Sequence, residues 1–213
     1  MIISPSRKFV FVHLPKTGGT AFTLAYEDIA RGDDLLFGDT PKAQRRQRGF
    51  HRRTGKRLGK HATLTQAAEV LPDLNLSRFT VATIVRNPWD RMVSFHAWGR
   101  AQSFDHPMIE AAKALPFAEF LQDPRVPRSF TAHPTQSYLT LAAGTLPPHI
   151  LRHERLAQDC ADLTKVLGRP LPPLQRVNSS EREEDYRRAY TDATAALIPP
   201  LFPFETGALG YAF

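Results

Sequence analysis

The sequence predicts an α/β fold, a three-layer sandwich whose helices pack on a central parallel sheet. Three observations carry that expectation. Two short apolar runs, residues 9–13 and 79–85, each end in a turn that opens into a helical stretch. The second run, Phe-Thr-Val-Ala-Thr-Ile-Val, is nearly continuous in apolar residues, as a strand buried on both faces requires. Strands and helices alternate along the chain, with no internal repeat. The 213 residues are expected to form one domain, 1–213, with room for a substantial core.

Residues 9–13 make the first strand and 19–31 the first helix. The stretch 32–60 is rich in Gly and Arg without a clear period, so a long loop is expected, with a short strand near 58–61. A helix over 64–71 has Thr63 or Thr65 as its cap. The strand 79–85 stops at Arg86-Asn87-Pro88, and Pro88 suits the first turn of a helix running to about residue 100. Short helices are expected at 116–121 and 136–143. A strand at 150–153 leads into a helix over 154–167 that Gly168 closes. The proline-rich stretch 169–177 is a loop, and 181–197 reads as an amphipathic helix. Phe202, Phe204, Tyr211 and Phe213 of the tail are expected to dock on the body.

Composition narrows the function classes. A single cysteine, Cys160, excludes an intrachain disulfide. The eight histidines show no metalloprotease pattern, and no Cys/His group has zinc spacing, so no metal is expected. There is no apolar run of membrane-spanning length and no signal-peptide core before the first strand, which points to the cytoplasm. The net charge of +7 is local: residues 42–60 hold nine Lys or Arg and no acid, and without them 19 basic residues face 21 acidic ones. Such a segment is either a solvated loop or an electropositive surface for an anionic partner, whether nucleic acid, acidic saccharide or nucleotide.

Residues 9–20 read Phe-Val-Phe-Val-His-Leu-Pro-Lys-Thr-Gly-Gly-Thr. Strand, glycine turn and helix together make a P-loop-like phosphate-binding turn. Gly18 and Gly19 let backbone N–H groups approach an anion, the helix N-terminus adds partial positive charge, Lys16 adds a full one, and Thr17 and Thr20 offer hydroxyls. The lettering differs from the ATP-binding loop, because Lys16 precedes the glycines, and from the dinucleotide fingerprint. A second charged motif, Arg86-Asn87-Pro88-Trp89-Asp90-Arg91-Met92-Val93-Ser94, follows the other strand. In a parallel sheet both strand ends lie on one edge, where ligands of open α/β folds bind. Ser94 lies two turns into the helix, so the pair suits a ligand with two separate phosphate-type groups. Asp90 is a plausible ion-pair partner for either Arg86 or Arg91.

The two motifs together resemble the sulfotransferases that use 3′-phosphoadenosine 5′-phosphosulfate (PAPS), in particular the carbohydrate sulfotransferase branch and its small bacterial members. Weaker similarity runs through residues 151–167 and Asn178-Ser179-Ser180 to Gly210-Tyr211. The resemblance implies that Lys16 contacts the oxygen bridging sulfuryl and phosphate, and that Thr17, Gly18, Gly19, Thr20 and Ala21 hold the 5′-phosphate. It gives the 3′-phosphate to Arg86 and Ser94, spaced eight apart. Asn178 and Ser179 would lie against the nucleotide, or Ser179 and Ser180 would cap the helix that follows. His61, in Lys60-His61-Ala62-Thr63, corresponds to a catalytic base in uronyl 2-O-sulfotransferases; His13, Glu27 and Asp28 remain alternatives. His96 stands where many relatives have Tyr and is not expected to be catalytic. The implied reaction moves a sulfuryl group from PAPS to a hydroxyl, with 3′-phosphoadenosine 5′-phosphate (PAP) as the other product. The acceptor is expected to be a saccharide, anionic if the 42–60 segment touches it. The competing classes are a kinase-like nucleotide phosphotransferase and a nucleic-acid-binding protein using residues 42–60.

Overall fold

The structure, a computed structural model, describes residues 1–142, 144–146, 148–175, 177 and 185–213. Its strands are β1 (Ile2–Ser4), β2 (Phe9–Val12), β3 (Leu35–Leu36), β4 (Thr80–Val85), β5 (Thr140–Leu141), β6 (Gly144–Thr145) and β7 (His149–Arg152). The helices are α1 (Gly19–Ile29), α2 (Pro41–Thr54), α3 (Leu64–Val70), α4 (Pro88–Arg100), α5 (Pro107–Ala114), α6 (Phe117–Gln122), α7 (Arg125–Ala132), α8 (Thr135–Tyr138), α9 (Leu156–Asp162), α10 (Thr164–Leu167) and α11 (Asp192–Ala195). They fall into two compact units, Met1–Val85 with Gln136–Val177, and Arg86–Thr135 with Asn178–Phe213.

The first unit is α/β. Its main sheet runs β3-β1-β2-β4-β7. The parallel centre expected from the sequence holds: β2 pairs with β4 and β4 with β7, both in parallel. The sheet as a whole is mixed, which corrects the all-parallel expectation, because β1 runs antiparallel to both β2 and β3. The reason is chain length: only residues 5–8 join β1 to β2, and a parallel return needs a crossover of about a dozen residues. Alternate residues of β2 feed opposite layers. Phe9 and Phe11 pack with Phe22 and Tyr26 of α1 and with Leu156 of α9. Val10 and Val12 pack with Phe50 of α2 and with Leu64 and Ala67 of α3. Burial of each such side chain contributes on the order of 1.5–3 kcal/mol.

Residues 41–54, expected as loop, are the helix α2. Thr40 caps it by accepting from the Ala43 amide, Pro41 opens it, and Gly55 closes it in the left-handed region at φ 69°. Only Ala43 and Phe50 of this helix are buried, so its apolar face is too sparse to register as a helical period. Helix α3 carries the expected cap at Thr63, as a capping box with Gln66. The segment expected as one helix over 154–167 is broken into a 3₁₀ turn, α9 and α10, and Gly168 ends it at φ 74°.

The second unit is helical. Helix α4 matches its predicted span, while α5 and α7 were not foreseen. The helix expected over 181–197 is, in its described part, a 3₁₀ turn (Tyr186–Ala189) and α11. Tyr190 is extended between them, and Thr191 starts α11 with its own capping box. Of the tail, Phe202 is buried, Tyr211 packs partly buried against the same cluster, and Phe213 meets Trp89 and Tyr190 while staying 42% exposed. Trp89 Nε1 donates to Ala195 O at 2.9 Å and Tyr190 Oη to Trp89 O at 2.9 Å, which fixes the start of α4. No helix among the described residues is long and apolar enough to cross a membrane.

Candidate active site

Three parallel strands of the first unit end at one sheet edge, and the β2 end carries the glycine turn. Lys16 holds a left-handed backbone, φ 62°, and Gly18 follows at φ 95°. For lysine that conformation costs about 1–2 kcal/mol, and such outliers persist where the surroundings over-determine them. Gly18 is the N-cap of α1 and provides no side-chain cap, so the first amides of the helix are left to other partners. The Ala21 amide donates to Gly18 O at 3.1 Å and is thereby committed within the turn. The Thr17 hydroxyl is likewise turned inward, donating to Leu14 O at 3.0 Å.

Two imidazoles brace the glycines. A Cβ on Gly19 would sit 2.4 Å from both Cδ2 and Nε2 of His13, and a Cβ on Gly18 would sit 2.6 Å from His153 Nδ1. Glycine is therefore required twice here, by left-handed backbone at 18 and by ring contact at both positions. His13 follows Phe9 and Phe11 in the β2 alternation and is 3% exposed. Burial, with added repulsion from the Met1 amino group, His61 and Lys60, holds its pKa well below 6.5.

His61 stands over His13, with ring centroids 5.0 Å apart. Its Nδ1 lies 2.7 Å from His13 O. A carbonyl only accepts, so Nδ1 carries the proton and Nε2 carries the lone pair. The outer part of His61 is exposed. Burial of its inner edge is the largest influence and lowers its pKa from 6.5. The bond to His13 O and the Asp39 carboxylate act the other way, and Lys60 and the Met1 amino group add to the lowering. Its neighbour Lys60 reaches the turn, donating to Thr20 Oγ1 at 3.4 Å, and pairs with Asp39 at 2.5 Å. His61 lines a cavity of about 600 Å³ together with Arg57, Lys60, Gln66 and Glu69. Of the alternative bases, Glu27 is buried and accepts from the Thr40 hydroxyl, while Asp28 is exposed.

The motif after β4 belongs to the second unit. Arg86 is 8% exposed, and its Nε donates to Asp90 Oδ2 at 2.6 Å. Asp90 thus pairs with Arg86; Arg91 faces Glu205 at 3.7 Å and lies over the rings of Phe130 and Phe202. Asn87 Oδ1 caps α4, accepting from the amides of Trp89 at 3.0 Å and Asp90 at 3.4 Å. Ser94 is buried on α4. His96 sits in an aromatic cluster, its Nε2 3.0 Å from Leu115 O, consistent with a packing role.

The first unit therefore gathers Lys16, Thr17, Gly18, Gly19, Thr20 and Ala21 with His13 and His61, while Arg86 and Ser94 both belong to the second unit. Asn178 and Ser179 lie outside the described residues. The sequence did not single out His153, although its place at the end of the third parallel strand marks the same sheet edge. No group of three or more metal-ligating side chains occurs among the described residues. No curated protein matches the chain. A profile described as the sulfotransferase family matches residues 1–197, nearly the whole length, and the chain belongs to that family of sulfuryl-transferring enzymes.

Proposed function

We propose that this protein transfers a sulfuryl group from PAPS to a hydroxyl of a saccharide, and that the turn between β2 and α1 receives the 5′ end of the donor. The observation that carries this reading is that turn: a left-handed lysine and two glycines lead into a helix with no side-chain cap, in a member of the sulfotransferase family. Uncapped first-turn amides and the helix dipole favour an anion. PAPS supplies the activated sulfuryl group. Lys16 stabilises the charge that builds on the bridging oxygen as the sulfur–oxygen bond breaks, the kind of preorganised electrostatic aid that matters most in a transition state. Amides from Thr17 to Thr20, with the Thr20 hydroxyl, hold the 5′-phosphate. Arg86, oriented by Asp90, and Ser94 take the 3′-phosphate, an assignment carried by the motif and the family.

His61 is the general base. Its Nε2 lone pair takes the acceptor proton as the acceptor oxygen bonds to sulfur, and PAP leaves. The tautomer supports this choice over His13, Glu27 and Asp28, since the bond to His13 O keeps Nε2 unprotonated. The acceptor occupies the cavity beside His61, where Arg57 and Lys60 favour an anionic saccharide over a neutral one. Thermal denaturation with PAP or ATP, without divalent metal, tests the donor assignment. PAP is expected to raise the melting temperature by several degrees and ATP by much less; equal shifts, or none, would contradict it.

A further inference from the structure

The two histidines at the sheet edge are not equivalent, and the difference assigns a role to the one that the proposed mechanism leaves idle. His13 Nδ1 is sealed from solvent and has no hydrogen-bond partner. The opposite edge of the ring, Cδ2–Nε2, lies against Gly19 in the turn. A neutral imidazole has one N–H to place. On Nδ1 it would be a buried donor with nothing to accept it, an arrangement that folded proteins avoid more strictly than an empty lone pair. The proton therefore resides on Nε2, beside the turn. Burial keeps the ring neutral at pH 7, so it donates there without bringing a charge. His61 has the reverse tautomer, Nδ1–H toward His13 O and Nε2 bare. One imidazole is built as a donor and its neighbour as a base.

We propose that His13 is a further ligand-contacting group, donating its Nε2–H to an oxygen of the anion held in the β2–α1 turn. This rests on the reading of that turn as the seat of the PAPS 5′ end. It also accounts for the Nδ1 that finds no partner. A purely packing residue at this register position would be apolar, as Phe9 and Phe11 are on the same face of β2. A donor at the turn instead requires a ring whose other nitrogen enters the core. The same geometry excludes His13 as the base, because its lone pair is on the sealed side.

The test combines nitrogen-15 NMR of the histidine side chains with PAP titrations of wild type, His13→Leu and His13→Gln. In wild type, His13 should show a protonated Nε2 and an unprotonated Nδ1, with His61 the reverse, and PAP should shift the His13 Nε2–H signal. Leucine removes the donor along with the unpartnered nitrogen, so its melting temperature should not fall while PAP affinity drops about 10–100-fold, the usual range for a hydrogen bond to a charged group. Glutamine, which can place an N–H near the Nε2 position, should bind within about 10-fold of wild type. Protonated Nδ1 on His13, or wild-type PAP affinity in His13→Leu, would overturn the proposal while leaving the donor reading intact. A wild-type protein that does not bind PAP would overturn the donor reading and the ligand assigned to His13 with it.

Discussion

Strands β2 and β4 pair in parallel, and each runs directly into a helix, yet the two turns are built on opposite principles. After β2 the helix has no side-chain cap; its N-cap is Gly18, and imidazole rings pack against both glycines. After β4 the helix is closed: Pro88 has no amide hydrogen to offer, and Asn87 Oδ1 takes the next two amides. The first turn can therefore recognise an anion with its backbone. The second can do so only with side chains, and its arginine is already aimed by a carboxylate. The difference teaches that two charged motifs at adjacent strand ends need not be two copies of one device. It also separates the expected consequences of mutation, since changes in the open turn should cost activity or PAP binding whether or not stability falls, whereas loss of the cap in the closed one should cost stability alone.

The largest effects should come from the first unit. His61→Ala is expected to lower the rate of sulfuryl transfer by about 10²–10⁴-fold, the range for a lost general base. Lys16→Ala is expected to lower it by about 10²–10³-fold, as for removal of one preorganised transition-state donor. The sharper variant is Lys16→Gly, which relieves the left-handed backbone at φ 62°. It should match the alanine variant in lost activity while unfolding at the same or a higher denaturant concentration. A Lys16→Gly protein that is both active and stabilised would remove the functional reason for the strain.

Next come the glycines. Gly19→Ala places a methyl 2.4 Å from the His13 ring, so either the ring or the turn must shift. Calorimetric unfolding should show a loss of order 1–3 kcal/mol, as for overpacking, together with weaker PAP binding. Across the sheet, Asn87→Ala should lose about 1 kcal/mol of stability through its cap and leave PAP affinity near wild type. If these two variants exchanged phenotypes, the contrast between open and closed turns would fail.

The smallest effect expected is on pH dependence. With His61 as the proposed base and its pKa lowered from 6.5, the acid limb of kcat/KM should lie below pH 6.5, with a plateau through neutrality. The lowered pKa values of His61 and His13 act on stability with the same sign. Between the folded and unfolded pKa values the unfolded chain binds more protons, so the stability present above about pH 6.5 declines as pH falls below it. An inflection in kcat/KM above pH 6.5 would point to a different base.

What the sequence made legible was whatever local chemistry dictates. β2 and β4 announce themselves as apolar runs, Pro88 marks the first turn of α4, and Gly168 marks a helix end. The motif residues around them were readable because charge and glycine were placed at strand ends. Helix α2 was missed because nine basic residues in and after it obscured a buried face of just Ala43 and Phe50, although the Thr40-Pro41 start and the Gly55 stop were both present as signals. β1 and β3, three and two residues long, have no periodicity of their own and exist through pairing. The tautomers of His13 and His61 lay beyond sequence reasoning for a related reason. Which ring nitrogen carries the proton is set by a carbonyl and a sealed pocket that only tertiary structure brings to the ring.

The most direct measurement of the central claim is a calorimetric cycle with two ligands, PAP and adenosine 5′-monophosphate, and two proteins, wild type and Arg86→Ala. The ligands differ in the 3′-phosphate, and the variant removes the side chain assigned to it. Arg86→Ala should weaken PAP by about 10–100-fold, the range for hydrogen bonds to a charged group, and leave adenosine 5′-monophosphate within about twofold of its wild-type affinity, because the turn after β2 is untouched. Equal losses for both ligands, or none for PAP, would contradict it.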